Sequence, residues 1–157
     1  KESRLKFFTK EWLSGEHDDE EPYAAYSRYQ AHLNTIRNSF TAVLKTLFSY
    51  RLHDGLVKVV NRRIPENELF VTLVIGDLQV GYQRLDLTYR NAELTQSDLE
   101  MLVRASRTEN IEILEDEWDL SVLRKFTHRL IFSTRQEIEI AFDEINYQAF
   151  PLVDRKL

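Results

Sequence analysis

The chain's 157 residues are 43% hydrophobic and 11% aromatic, enough for one core burying roughly 70% of the unfolded surface, so one domain over residues 1–157 is expected. Asp and Glu number 26 against 21 Lys and Arg, and the net charge of -5 argues against nucleic acid and anionic membrane as partners. With no cysteine, disulfides, thiolate catalysis, Cys zinc sites and iron–sulfur clusters are excluded, and no apolar run approaches the about 18 residues that span a bilayer, so the chain reads as a cytoplasmic, non-secreted protein.

Arg4 to Trp12 reads as a short strand, with Leu5 and Phe7 on one side and Phe8 on the other. The run His17-Asp18-Asp19-Glu20-Glu21-Pro22 suits a helix start, because acidic side chains favour the positive end of the helix dipole and proline has no donor to lose in the first turn. From Pro22 to about Tyr50 there is no Gly or Pro. Tyr26, Leu33, Ile36, Phe40, Val43, Leu44 and Leu47 recur at three- and four-residue spacing, which predicts a long amphipathic helix that crosses a sheet face or breaks once into two. Tyr23, Tyr26 and Tyr29 cluster near its start and suit either a partner or the core.

Leu52-His53-Asp54-Gly55 ends the helix and leads into a strand from Leu56 to Val60, with Gly55 expected to take a positive φ. Pro65-Glu66-Asn67 predicts a tight turn into Leu69–Ile75, whose apolar, β-branched character marks the central strand. Its residues Leu69, Val71, Leu73 and Ile75 face one way and Phe70 and Val74 the other, so cover is expected on both sides. After Gly76–Gly81 comes a strand over residues 82–90 with one wet face. Thr95 and Asp98 resemble a capping box ahead of a helix near Gln96–Ser106.

Ile111–Trp118 reads as a strand with an acidic edge, and Phe126–Ser133 as another. A hairpin through Thr134-Arg135-Gln136 would pair Phe132 with Ile138, aligning Phe126, His128, Leu130 and Phe132 with Ile138, Ile140 and Phe142. After Phe142 the apolar phase shifts to Ile145 and Tyr147, which predicts a bulge. The resulting fold class is α+β: a mostly antiparallel six- to seven-stranded sheet with one long N-terminal helix on a face and a second short helix.

F-T-K-E-W at Phe8–Trp12, L-H-D at Leu52–Asp54, and H-R-L-I-F with E-I-E-I-A-F at His128–Phe132 and Glu137–Phe142 resemble an uncharacterised bacterial family, a domain of unknown function. That resemblance implies a bacterial cytosolic origin and carries over no catalytic residue. The L-H-D turn followed by strands is also similar to small immunity-type proteins that neutralise bacterial toxins. This second resemblance implies a basic protein partner.

The glycines form neither G-x-G-x-x-G nor a Walker loop, and no G-x-S-x-G elbow is present. His53-Asp54 could orient an imidazole for acid–base chemistry, but a helix-ending turn explains both residues. His128, in an apolar row opposite Phe142, reads first as a core histidine and second as a ligand. The acidic runs Asp18–Glu21 and Glu115–Glu117 lack EF-hand spacing and read as solvated charge, so no metal or cofactor is expected. Arg62-Arg63 and Arg104 with Arg107 are too sparse for a phosphate groove. Glu115, Asp116, Glu117 and Trp118 combine dense negative charge with one large ring and are the candidate surface for a basic protein partner. The reading favours a non-catalytic binding or interaction domain. Its alternatives are an immunity-type protein that neutralises a basic toxin and a hydrolase with a dispersed site built on His53, Asp54 and strand carboxylates.

Overall fold

The structure, a computed structural model, describes residues 3–15 and 23–157. The acidic run ahead of Tyr23 lies outside them. Among the described residues seven strands form two antiparallel sheets. The first joins β1 (Leu56–Arg63), β2 (Glu68–Asp77), β3 (Gly81–Arg90) and β7 (Glu144–Leu152) in the order β1-β2-β3-β7. The second joins β4 (Ile113–Leu120), β5 (Phe126–Phe132) and β6 (Glu137–Phe142) in chain order. The chain is therefore α+β and antiparallel, but the single six- to seven-stranded sheet is corrected to sheets of four and three strands.

The division falls where the apolar phase changes. After β6 there is no bulge: the chain leaves one sheet at Asp143 and enters the other at Glu144, opposite Arg90. Asp143 anchors this switch, its amide donating to the Arg90 carbonyl (3.0 Å) and its carboxylate accepting from Asn91 Nδ2 (3.1 Å) and the Lys125 amide (3.2 Å). The sheets also touch at two corners, through an isolated bridge between Glu93 and Ala141 and through paired bonds from Asp54-Gly55 to Ile113. One contiguous apolar cluster runs between them, with Leu69, Val71, Leu73, Leu85, Leu87 and Tyr89 from the first sheet meeting Phe126, Leu130, Ile140 and Phe142 from the second.

The single long helix is corrected in favour of the expected alternative, one break into two helices. It is split into α2 (Ala24–Ile36), a 3-10 turn at Arg37–Ser39, and α3 (Ala42–Leu47). Asn38 and Ser39 are weak helix formers, and Thr41 restarts the helix as an N-cap, its Oγ1 accepting from the Leu44 amide at 3.3 Å. The break swings Phe40 into the core, stacked on Phe126 at 5.5 Å and edge-on to Phe48 at 4.9 Å. Neither half covers β2 as expected, because α2 packs on β4 and α3 on β7. On the side of the first sheet away from this core, Thr72 Oγ1 donates to Asp86 (2.7 Å), which also takes Arg84 Nε (3.0 Å), while Arg63 lies 5.4 Å over Phe70. Among the described residues no helix is long and apolar enough to cross a membrane.

The N-terminal strand expected at Arg4–Trp12 is replaced by an irregular segment and α1 (Lys10–Leu13), which Thr9 caps. Its amides bond to side chains, not to a neighbouring strand. Lys6, Phe7 and Phe8 donate to the Glu117 carboxylate at 2.9, 2.7 and 2.8 Å, and Arg4 and Leu5 donate to Glu137 at 3.0 and 3.1 Å. Arg4 also forks onto Asp98 at 2.9 and 2.6 Å. Asp98 lies in the first turn of α4 (Gln96–Arg107), which Thr95 caps through the Asp98 amide. The Asp98 carboxylate is thus used in tertiary contact.

Two turns differ in detail. Pro65 takes the second position of a turn closed by the Asn67 amide on the Ile64 carbonyl (3.1 Å). At Asp54-Gly55 the positive φ falls on Asp54 (64°), and Gly55 is required for space: a Cβ there would sit 2.7 Å from the Leu52 carbonyl oxygen.

Candidate functional site

β4 is an edge strand, and an edge leaves unpaired backbone groups that something must satisfy. Side chains do so here. Tyr29 Oη accepts from the Trp118 amide (2.7 Å), and His53 Nδ1 meets the Leu114 carbonyl (2.6 Å), which assigns the proton to Nδ1. Between these two caps lies a cavity of about 420 Å³, bounded by α2, the Phe48–His53 segment and the β4 edge. Because it wraps an edge, it reaches side chains from both strand faces, Glu115 from one and Asp116 and Trp118 from the other.

Its walls are mostly aromatic: Tyr23, Tyr26 and Tyr29 from α2 and its entry, with Phe48, Tyr50 and Trp118 opposite. The carboxylates at its base already have donors. Tyr26 Oη donates to Glu115, and burial together with that bond holds the phenol above its ordinary range. Burial pushes the Glu115 carboxyl up, against the opposing pull of Tyr26 and His53. Asp116 Oδ2 lies 2.7 Å from His128 Nε2, and His128 Nδ1 lies 2.8 Å from Tyr89 Oη. The Asp116 carboxylate can only accept, so Nε2–H donates to it, and in the neutral ring Nδ1 then accepts from the O–H of Tyr89, whose phenol burial raises well above its ordinary value. The His128 ring, fully buried, is stacked on Trp118 at 3.5 Å with an interplanar angle of 6°.

Of the residues singled out from the sequence, the structure gathers His53, Glu115, Asp116 and Trp118 at this cavity, with His128 one hydrogen bond behind it. His128 faces Ile140, not Phe142, across the hairpin, because β5 and β6 pair Leu130 with Ile138. Asp54 lies instead on an adjoining cavity of about 350 Å³ that shares Tyr50, Arg51 and His53, and Asp54 Oδ1 is 3.4 Å from His53 Nε2. That pair is outward-facing, with 44% and 59% of the side chains exposed.

Glu117 is not at either cavity, and the acidic strand is not a solvated face. Glu117 is fully buried, Trp118 is 4% exposed, and Arg129 bridges Glu117 (3.1 Å) and Asp119 (2.8 Å) behind the strand. Burial alone would raise the Asp119 carboxyl, but Arg129, His32 and the Leu120 amide bring it down to about 2. The alternation Glu115, Glu117, Asp119 is the period-two signal of one strand face, and it marks here a buried row. Tyr26 and Tyr50 as cavity walls were legible only as part of a tyrosine cluster and a helix end. Among the described residues no group of three or more His, Asp or Glu could hold a metal. Comparisons with known protein families, with curated proteins and with solved structures return no match.

Proposed function

We propose that the chain is a non-catalytic binding domain whose ligand enters the aromatic cavity beside β4. The observation that supports this reading is the fixed state of the cavity's carboxylates. Glu115 and Asp116 each hold a hydrogen bond from a partner, Tyr26 and His128, and His128 has both nitrogens engaged. A general base needs a free lone pair within reach of substrate. His128 offers none, because both its nitrogens are engaged, and the tyrosine hydroxyls are too weakly basic to take a proton, whereas a binding site gains from side chains held in place before the ligand arrives.

The immunity-type alternative would dock a basic partner on Glu115 to Trp118. A macromolecule there would have to reach side chains that α2 and residues 3–9 cover, so we do not carry that surface into the proposal. The hydrolase alternative rests on His53 and Asp54.

Two measurements test the proposal. In a titration with small organic ligands followed by NMR, the ring signals of Tyr26 and Trp118 shift together, and mapping of every bound compound elsewhere would overturn the site. Alanine at both His53 and Asp54 leaves the melting temperature within a few degrees. Hydrolysis of an ester or phosphoester panel by the parent chain, lost in that variant, would replace binding by catalysis.

A further inference from the structure

We infer that the ligand class of this cavity is an organic ammonium ion carried on a small molecule. The inference rests on the binding-domain reading and adds the charge and shape of the occupant. The walls carry six aromatic rings, Tyr23, Tyr26, Tyr29, Phe48, Tyr50 and Trp118, and such rings attract a cation within about 6 Å of a ring centre and favour an alkylated, weakly hydrated one. The base presents two carboxylates, Glu115 and Asp116, whose side chains keep only 11% and 14% of their surface in water.

Charge balance decides among occupants. The groups facing Glu115 are the Tyr26 hydroxyl from α2, His53 and Arg51 from the preceding loop, and Asp116 on its own strand. Arg51 is exposed at the mouth and offsets one carboxylate. Among the described residues that line it, two carboxylates stand against one guanidinium, so the site carries an excess negative charge. An anion would meet that charge without a donor at the base. A neutral apolar molecule would displace water from two carboxylates and return nothing, which burial of charge makes costly. A bare divalent ion needs six or more oxygens, and among the described residues no group of three or more His, Asp or Glu could hold one. An ammonium bearing methyl or methylene groups suits both surfaces: its charge faces Glu115 and Asp116 and its alkyl skin faces the rings. The cavity, about 420 Å³, lies within the roughly 300–1,000 Å³ of small-molecule sites.

The test compares three molecules of nearly one shape: choline, its neutral isostere 3,3-dimethylbutan-1-ol, and the anion 3,3-dimethylbutanoate, each titrated into the full chain with calorimetry and Tyr26 and Trp118 ring signals as readouts. Choline should bind about tenfold or more tighter than the alcohol, with the anion weakest. Glu115→Gln, which keeps an acceptor for Tyr26, should erase most of that preference while the alcohol binds as before. Tyr23→Ala, at a residue 74% exposed and safe for folding, should weaken choline several-fold. Alcohol or anion binding at these rings as tightly as choline would overturn the ammonium assignment and leave the cavity as a ligand site. No ring shift with any of the three at tens of millimolar would overturn both.

Discussion

The two sheets close their surfaces in different ways. The first turns hydrocarbon inward, with Leu69, Val71, Leu73, Leu85 and Leu87 each at most 3% exposed, and needs no charge to hold its core. The second is apolar toward that core but charged on its reverse, where Glu117, Arg129 and Asp119 are only 0%, 3% and 4% exposed. The difference teaches that the same acidic residue type serves opposite ends on one strand. Glu117 and Asp119 are compensated by a guanidinium and by backbone amides, whereas Glu115, on the same face, is left short of positive partners at the cavity.

The largest effect should come from breaking the hydrocarbon half. Val71→Asp places an unpaired carboxylate at a position 3% exposed and should cost more than about 4 kcal/mol, enough to abolish the folded far- and near-UV signals. A soluble variant with an unchanged melting curve would show that the core lies elsewhere. Thr88→Asp, on the opposite face of the same sheet, should cost about 0.5 kcal/mol or less.

Breaking the charged half comes next. Arg129→Met leaves Glu117 and Asp119 buried without their cation and should cost about 3–5 kcal/mol in urea unfolding. Glu117→Gln keeps one acceptor for the three amides of Lys6 to Phe8 but loses charge toward Arg129, for about 1.5–3 kcal/mol. Equal, negligible losses in both would mean that the network is ornamental to stability.

The smallest effects carry opposite signs and sharpen the contrast between neighbours. Asp119, held at about 2 against its ordinary 3.8, contributes stability that is present above the ordinary value and lost as pH falls through about 2. Asp119→Asn should therefore lower the melting temperature at pH 7 and flatten its acid decline between those values. Glu115, raised from 4.5 chiefly by burial, contributes in the other sense: the stabilising contribution exists below its ordinary pKa and disappears as pH rises through the shifted one. At neutral pH Glu115→Gln should leave the melting temperature unchanged or raise it. A fall as large as that of Asp119→Asn would show that the two carboxylates are equivalent.

Strand and helix positions were largely readable in the sequence where one local period dominates. β2, β3 and α4 follow apolar spacing, and the Pro65 turn follows proline geometry. What was not readable depends on partners distant in the chain. Phe40 has helical spacing, yet Phe126, 86 positions away, makes the broken helix the better-packed one. Residues 4–9 alternate like a strand, but their amides find carboxylates at 117 and 137. His53 and Asp54 were legible as a turn. The cavity was not, because Tyr26 and Glu115 are separated by 89 positions and only the folded chain makes them neighbours.

The capture of residues 3–8 by two carboxylates sets an order of events. The amides of Lys6, Phe7 and Phe8 wait for a glutamate 109 to 111 residues later, and those of Arg4 and Leu5 for one 132 to 133 residues later. On a ribosome, which emits a chain from its N-terminal side, residues 6–8 cannot dock before β4 has emerged, nor residues 4 and 5 before β6, since loop closure cannot precede the partner's synthesis. The chain's first described residues are therefore among the last to find their native places. Until then Glu117 and Arg129 face water, and the reverse of the second sheet becomes a buried surface only when the beginning of the chain returns to cover it.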